Sequence, residues 1–266
     1  MRIARYSVDD AIRYGVVELE SDGSGNPDCV LELAGDPFSG PVKASGVRRA
    51  LDEVRLLAPV LPRSKVIGIT GNCVPGKDVP DAPTGYPGVF LKPNTGVIGP
   101  GEAIQIPSIS SDTALEAELA VVIGRICRSV PVERVPEVVF GYTAANDVTA
   151  RDLMVDGVPW GMAKCWDTFT PLGPWIVTHL SLEEASALTV VGEVDEAAVT
   201  TGSTKGFIRG IADLVSLVSS MMTLLPGDVI LTGAPGGAAP IQAGRSVSID
   251  IDEIGVLTNP VIGDVG

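Results

Sequence analysis

"LEAELAVVIG", residues 115–124, sets two glutamates directly before an uninterrupted apolar run that ends at a glycine. The aliphatic residues read as a strand, although acids are poor strand formers. In a strand, residues i and i+2 point to one face with Cα atoms about 6.6 Å apart, so Glu116 and Glu118 project together. Two like charges held that close raise each other's pKa unless a cation sits between them. A hard divalent cation with oxygen ligands, Mg²⁺ or Mn²⁺, resolves the conflict. The E-x-E pattern alone also fits a solvated edge with both acids in water. The run 119–123 argues against that, because a strand with consecutive apolar residues is buried on both faces.

Four further stretches carry candidate chemistry. In "ANDVTARDL" (145–153), Asp147 follows an apolar strand where the chain breaks, a position that often bears ligands. Arg151 and Asp152 lie beside it. Arg151 either pairs with an acid or clamps a substrate carboxylate with its planar fork. In "MAKCWDTF" (162–169), Lys164 is a lone cation among Met, Ala, Cys and Trp. It reads either as a desolvated lysine of lowered pKa, able to act as a base, or as one snorkelling from an apolar strand. In "LTGAPGG" (231–237), a strand ends at Thr232, and Gly233, Gly236 and Gly237 free the backbone to aim N–H groups at an anion. An ordinary tight turn fits this stretch as well. "SKVIGITGN" (64–72) is an apolar strand ending at Gly71-Asn72, followed by a loop rich in Pro, Gly and Asp.

The rest of the chain frames these pieces. Its 266 residues suffice for one large domain, or for one domain plus a small one. Thirty-one glycines, 21 prolines and 5% aromatics point to many turns and short strands, not a helical bundle. A net charge of −14 repels nucleic-acid backbones and anionic membranes over most of the surface. Cys29, Cys73, Cys127 and Cys165 form no zinc spacing and read as free thiols. The N-terminus lacks a signal-like apolar stretch, and no run is long enough to span a membrane, so a cytoplasmic location is expected.

Residues 1–60 read as a small N-terminal domain, opening with two strands around a turn, and 61–266 as the catalytic domain. Short strands are expected at 88–93, 95–101 and 102–107, with a short helix inside 131–142. The clearest helical pattern is Ile211, Leu214, Val215, Val218 and Met222, stopped by Pro226-Gly227. A closing hairpin is expected over 245–262. There are no internal repeats. The class is α+β, dominated by strands.

Taken together, "LEAELAVVIG", "GYTAANDVTARDL", "AKCWDTFTPLGPW", "MTLLPGDVILTGAPGG" and "IGVLTNPV" resemble the fumarylacetoacetate hydrolase family, in order and spacing, over about residues 64–262. The resemblance implies a mixed β-sandwich roll with a small N-terminal domain, and a homodimer. It implies that Glu116, Glu118 and Asp147 bind Mg²⁺ or Mn²⁺, with Lys164 beside the metal. It also puts Arg151 near the substrate, and Thr232, Gly233 and Asn72 in substrate binding. Family members act on small oxo- or enol-acids by C–C hydrolysis, decarboxylation, isomerisation or hydration. Decarboxylation and isomerisation both pass through an enolate that the metal stabilises.

One departure directs the functional expectation. Many relatives carry N-Y-x-x-H followed three residues later by glutamate, a pair that activates water. Here "GNCVPGKDV" keeps Asn72 but has Cys73 for the tyrosine, Gly76 for the histidine and Val79 for the glutamate. The sole histidine, His179, reads as surface, and Met154 replaces a family glutamine. Losing a water-activating base costs about 10²–10⁴-fold in rate. The expectation is therefore decarboxylation or keto–enol isomerisation of a small dicarboxylic oxo-acid, with Lys164 moving the proton and Arg151 and Thr232 holding carboxylates. A hydrolase drawing its base from Lys77 or Asp78 is the second reading. A metal-binding protein without turnover is the third.

Overall fold

Strand Thr113–Ile123 is the axis of the molecule, buried on both faces along nearly all its length. Its odd residues, Leu115, Ala117, Leu119 and Val121, belong to one apolar cluster, while Ala120 and Val122 belong to a second. Glu116 and Glu118 lie on the same face as Ala120 and Val122 by the two-residue period of a strand. That face is core at one end and polar at the other, which is why the apolar run begins where the acids stop.

The structure, a computed structural model, describes residues 1–23, 27–73 and 85–264. It is strand-dominated α+β, with two mixed sheets. In the large sheet, Thr113–Ile123 pairs antiparallel with Val139–Asn146 and with Val229–Leu231. Val229–Leu231 in turn runs parallel to Val66–Thr70, whose other neighbour is the edge strand Gly88–Lys92. The smaller sheet holds Ala197–Ser203, Thr189–Val194, Ser246–Ile251, Gly255–Gly263 and Ile104–Ile106, in that order. The two sheets meet tightly. A Cβ on Gly192 would come within 2.7 Å of Leu115 and 3.3 Å of Ala117, so glycine is what permits that approach.

The expected hairpin at the start is present as Arg2–Val8 and Ala11–Glu18, turned through Asp9 and Asp10, both at positive φ. Residues 1–60 are expected to stand apart, but the structure joins them to the large sheet: Arg2 and Ile3 pair with Val177 and Ile176 of Thr170–Val177. An exposed sheet edge seeks a partner, and the first strand supplies one. The expected helix spans Ile211–Met221, burying Ile211, Leu214, Val215 and Val218. The closing hairpin is Ser246–Ile251 with Gly255–Gly263. The four cysteines are free. No helix among the described residues is long and apolar enough to cross a membrane.

Candidate active site

Three strand ends converge on the acidic face of Thr113–Ile123. Register places Ala117 opposite Asn146 and Glu118 opposite Ala145, so Val139–Asn146 ends beside the glutamates. Two hydrogen bonds lock that end: the Glu116 N–H donates to Asn146 Oδ1 at 3.0 Å, and the Asp147 N–H donates to the Glu116 carbonyl at 3.0 Å. Asp147 is thereby fixed next to the E-x-E pair. Carboxylate oxygens of Glu116, Glu118 and Asp147 all lie within 4.8 Å of one another. Glu118 and Asp147 are 2% and 1% exposed.

Two lysines neutralise part of this charge. Lys164, at the end of the short helix Gly161–Lys164, donates from Nζ to Glu116 Oε2 at 2.8 Å and to Asp147 Oδ2 at 2.6 Å. Lys92 donates to Asp147 Oδ1, and to the Val148 carbonyl at 3.3 Å. Nothing local in "GVFLKP" marks Lys92 as a site residue. The only available signal is a cation ending an apolar strand, and its partner lies 55 residues away. Phe90, two residues earlier on the same strand face, sets its ring 5.2 Å from Lys164 Nζ and edge-on to Trp160. Gly68 sits opposite Phe90, where a Cβ would fall 2.1 Å from the ring, so this strand position must be bare for the aromatic wall to form.

Electrostatics divide the groups. Burial alone would raise Asp147, but the ammonium groups of Lys92 and Lys164 outweigh it and hold the acid below the usual carboxylate range. Glu116 is raised, mainly by burial and only partly relieved by Lys164. Glu118 is pushed well up by burial, with the charges of Asp147 and Glu116 adding to the rise. Its one protein donor among the described residues is the Gly233 N–H, at 2.7 Å. Of the two readings of Lys164, the one with a lowered pKa does not hold: burial pulls it down, but Asp147 and Glu116 more than reverse that, leaving it raised. Lys92 is the lysine that burial lowers, because Asp147 compensates it only in part.

The donor set fits a hard dication. Three carboxylates offer oxygen ligands, and metal–oxygen bonds of about 2.0–2.6 Å bring ligand atoms within about 4–5 Å of each other across the ion. Two buried ammonium groups leave the three acids one positive charge short, and Glu118 carries the deficit.

The acids open on a cavity of about 160 Å³, whose wall includes Lys164, Phe90, Trp160, Met154, Cys73 and the turn at Gly233. This is small beside the roughly 300–1,000 Å³ of clefts for drug-sized ligands. Burial, with the nearby Glu118 charge, pushes the Cys73 thiol well up, so it stays protonated at neutral pH.

Three sequence-derived assignments come out differently. Arg151 does not line this cavity. Its guanidinium is committed to Asp112, with Nε at 3.2 Å and Nη2 at 2.5 Å from Oδ1. Thr232 is buried, and its hydroxyl donates to the Leu119 carbonyl at 2.7 Å. Asn72 lines the cavity, but its amide is spent on the scaffold: Nδ2 donates to the Thr232 and Arg209 carbonyls, and Oδ1 accepts from the Arg209 N–H at 2.8 Å. Gly233, at φ 100°, lines the cavity with its N–H turned to Glu118. His179 is exposed, with Nδ1 2.9 Å from the amino terminus. Gly76, Lys77, Asp78 and Val79 lie outside the described residues.

Residues 67–262 match the family model "Fumarylacetoacetate (FAA) hydrolase C-terminal", and residues 1–59 match "Rv2993c-like, N-terminal". A 5-carboxymethyl-2-hydroxymuconate delta-isomerase from Mycobacterium smegmatis is 42% identical, with a TM-score of 0.89 over 99% of this chain and 100% of its own. A 2-hydroxyhepta-2,4-diene-1,7-dioate isomerase from Mycobacterium marinum is 40% identical, with a TM-score of 0.89 over the whole of both chains. A maleylpyruvate hydrolase from Sphingobium sp. SYK-6, in complex with manganese(II) and pyruvate, is 28% identical with a TM-score of 0.80, over 99% of each chain.

Proposed function

Because this chain belongs to the fumarylacetoacetate hydrolase family, we propose that it is a divalent-metal-dependent enzyme that decarboxylates or isomerises a small 2-oxo or enol acid. The observation that carries the reading is the meeting of three carboxylates, within 4.8 Å of one another, at one small cavity also walled by a buried lysine. Glu116, Glu118 and Asp147 would hold Mg²⁺ or Mn²⁺, which when bound supplies Lewis-acid stabilisation of charge developing on an enolate oxygen.

The protein's own groups supply the rest. Lys164, held protonated between Glu116 and Asp147, delivers a proton to the enolate carbon. In decarboxylation, the electron pair of the broken C–C bond stays on that carbon as carbon dioxide leaves, and the Nζ–H forms the new C–H bond. In ketonisation of an enol acid the same proton transfer occurs without loss of a carboxylate, and the neutral amine takes the proton back in reverse. Phe90 and Trp160 wall the cavity beside this exchange. Gly233 fixes Glu118, and Lys92 fixes Asp147. Arg151, tied to Asp112, gives no support to a second substrate carboxylate at this cavity. Hydrolysis asks for a water-activating base, and the described lining carries no histidine.

Steady-state assays of oxaloacetate and of enol acids, with Mg²⁺ or Mn²⁺ and with metal content measured, test the proposal. Metal-dependent turnover is expected. A protein carrying one ion per chain that turns over none of these acids would refute it, and oxalate binding without turnover would favour a ligand-binding role.

A further inference from the structure

A second cavity, of about 700 Å³, adjoins the first and shares Thr70, Phe90, Trp160 and Lys164 with it. The two differ in character. The smaller one is walled by three carboxylates and a lysine, whereas the larger is walled by Val89, Leu91, Val158, Pro159 and Met222 together with the shared aromatic pair. Among the described residues, Lys164 is the one charged side chain in its lining, and it sits at the junction. Leu91, Val158 and Met221 are 52, 51 and 50% exposed there, an apolar surface open to a partner.

We propose that this second cavity is a tail subsite, which selects a 2-oxo or enol acid whose chain beyond the reacting carbon is apolar and uncharged. The inference rests on the proposed function, which sets the acid head against the three carboxylates and the reacting carbon against Lys164. From Lys164 the shared wall leads directly into the apolar volume. A terminal carboxylate entering it would lose hydration and meet no second cation among the described residues, and burying an unpaired charge is costly. An alkyl or alkenyl chain loses nothing and buries apolar area, at about fourfold in affinity per methylene. Val89, Trp160 and Met222 are then determinants of specificity, not of chemistry.

Calorimetry on the Mn²⁺-loaded protein tests this with N-substituted oxamates, whose oxamate head imitates a 2-oxo acid. N-propyl-, N-hexyl- and N-(5-carboxypentyl)-oxamate are compared with oxamate itself. Affinity is expected to rise about tenfold or more from propyl to hexyl, and the carboxypentyl probe is expected to bind about tenfold or more weaker than hexyl. Val158→Lys, at a half-exposed rim position, is expected to reverse that order. If oxamate binds but the three tails are equal, or if the carboxypentyl probe binds tightest, the tail subsite is wrong while the head reading stands. If oxamate itself does not bind the loaded protein, the head reading fails and the tail inference falls with it. If tail dependence is flat and Val158→Lys converts a dimer to a monomer in sedimentation, the face belongs to a second copy of the chain, which also overturns the proposal.

Discussion

The three-residue strand Val229–Leu231 has a buried acid at each end, and the two are served very differently. Asp228, just before it, is fully buried. It accepts from Lys65 Nζ at 2.6 Å, from the Lys65 N–H at 3.1 Å and from the Leu225 N–H at 2.8 Å. Just after the strand, the Gly233 N–H is the one protein donor that Glu118 receives among the described residues. Both carboxylates are buried to a similar depth. One has its charge cancelled and its lone pairs filled, and so acts as a staple between the chain before Val66–Thr70 and the turn before Val229–Leu231. The other is kept short of partners, at a cost that a proton or a ligand cation relieves. Completeness of satisfaction, more than burial, separates an acid that holds the fold from one that is there for chemistry.

The largest effect should come from removing the under-served acid. Glu118→Gln keeps the shape and an oxygen for the Gly233 N–H but deletes a ligand charge. It should lower kcat/KM by about 10⁴-fold, the several kcal/mol that metal-assisted charge stabilisation supplies. Metal affinity measured by titration should fall with it. The Tm should stay level or rise, since a buried unpaired charge has gone. A marked drop in Tm with activity retained would erase the distinction between the two acids. Next in size is Lys164→Met, expected to cost about 10³-fold in kcat with little change in KM, as for loss of a proton-transfer group. Metal affinity should not decrease, because a cation competing for Glu116 and Asp147 has been removed.

Asp228→Asn sharpens the comparison from the other side. Breaking its pair with Lys65 should cost about 3 kcal/mol of stability by urea unfolding. At a temperature where the variant is folded, its kcat and metal affinity should match those of the parent chain. Loss of activity beyond the loss of folded protein would mean that the short strand couples its two ends.

What the sequence made legible follows the range of the interactions. The strand over 115–124, the alternation that sends both glutamates to one face and the helix over Ile211–Met221 rest on neighbours a few residues apart, and the structure has them. Lys164 stood out because a cation among apolar residues is a local anomaly. Lys92 did not, because its meaning depends on Asp147, far along the chain and separated from it by three strands of the sheet. The direction of the Lys164 pKa is hidden from the sequence for the same reason: desolvation is guessed from neighbouring residues, whereas the two carboxylates that outweigh it arrive by folding. Thr232 and Asn72 look like anion binders in a glycine-rich turn, but their hydrogen bonds go to Leu119, 113 residues away, and Arg209, 137 residues away. The first strand's pairing with Thr170–Val177, which joins residues 1–60 to the large sheet, is equally long-range.

The smallest expected effect concerns Arg151, whose role depends on which acid it meets. If its fork held substrate, Arg151→Ala would cost at least tenfold in KM, as loss of a charge-assisted bidentate contact does. The structure gives that fork to Asp112, in a pair whose side chains are 36% and 42% exposed. Exposed pairs contribute about 0–1 kcal/mol, because water and salt screen them and two long side chains must be ordered. Arg151→Ala should therefore shift stability by less than about 1 kcal/mol. Because the backbone N–H of residue 151 still donates to the Asp112 carbonyl, the loop should keep its position, and kcat/KM should stay within about twofold of the parent. A variant that keeps its stability yet loses tenfold in KM would return Arg151 to the substrate. It would also mean that the acidic cavity extends past the wall now drawn for it, toward the chain break after Asp147.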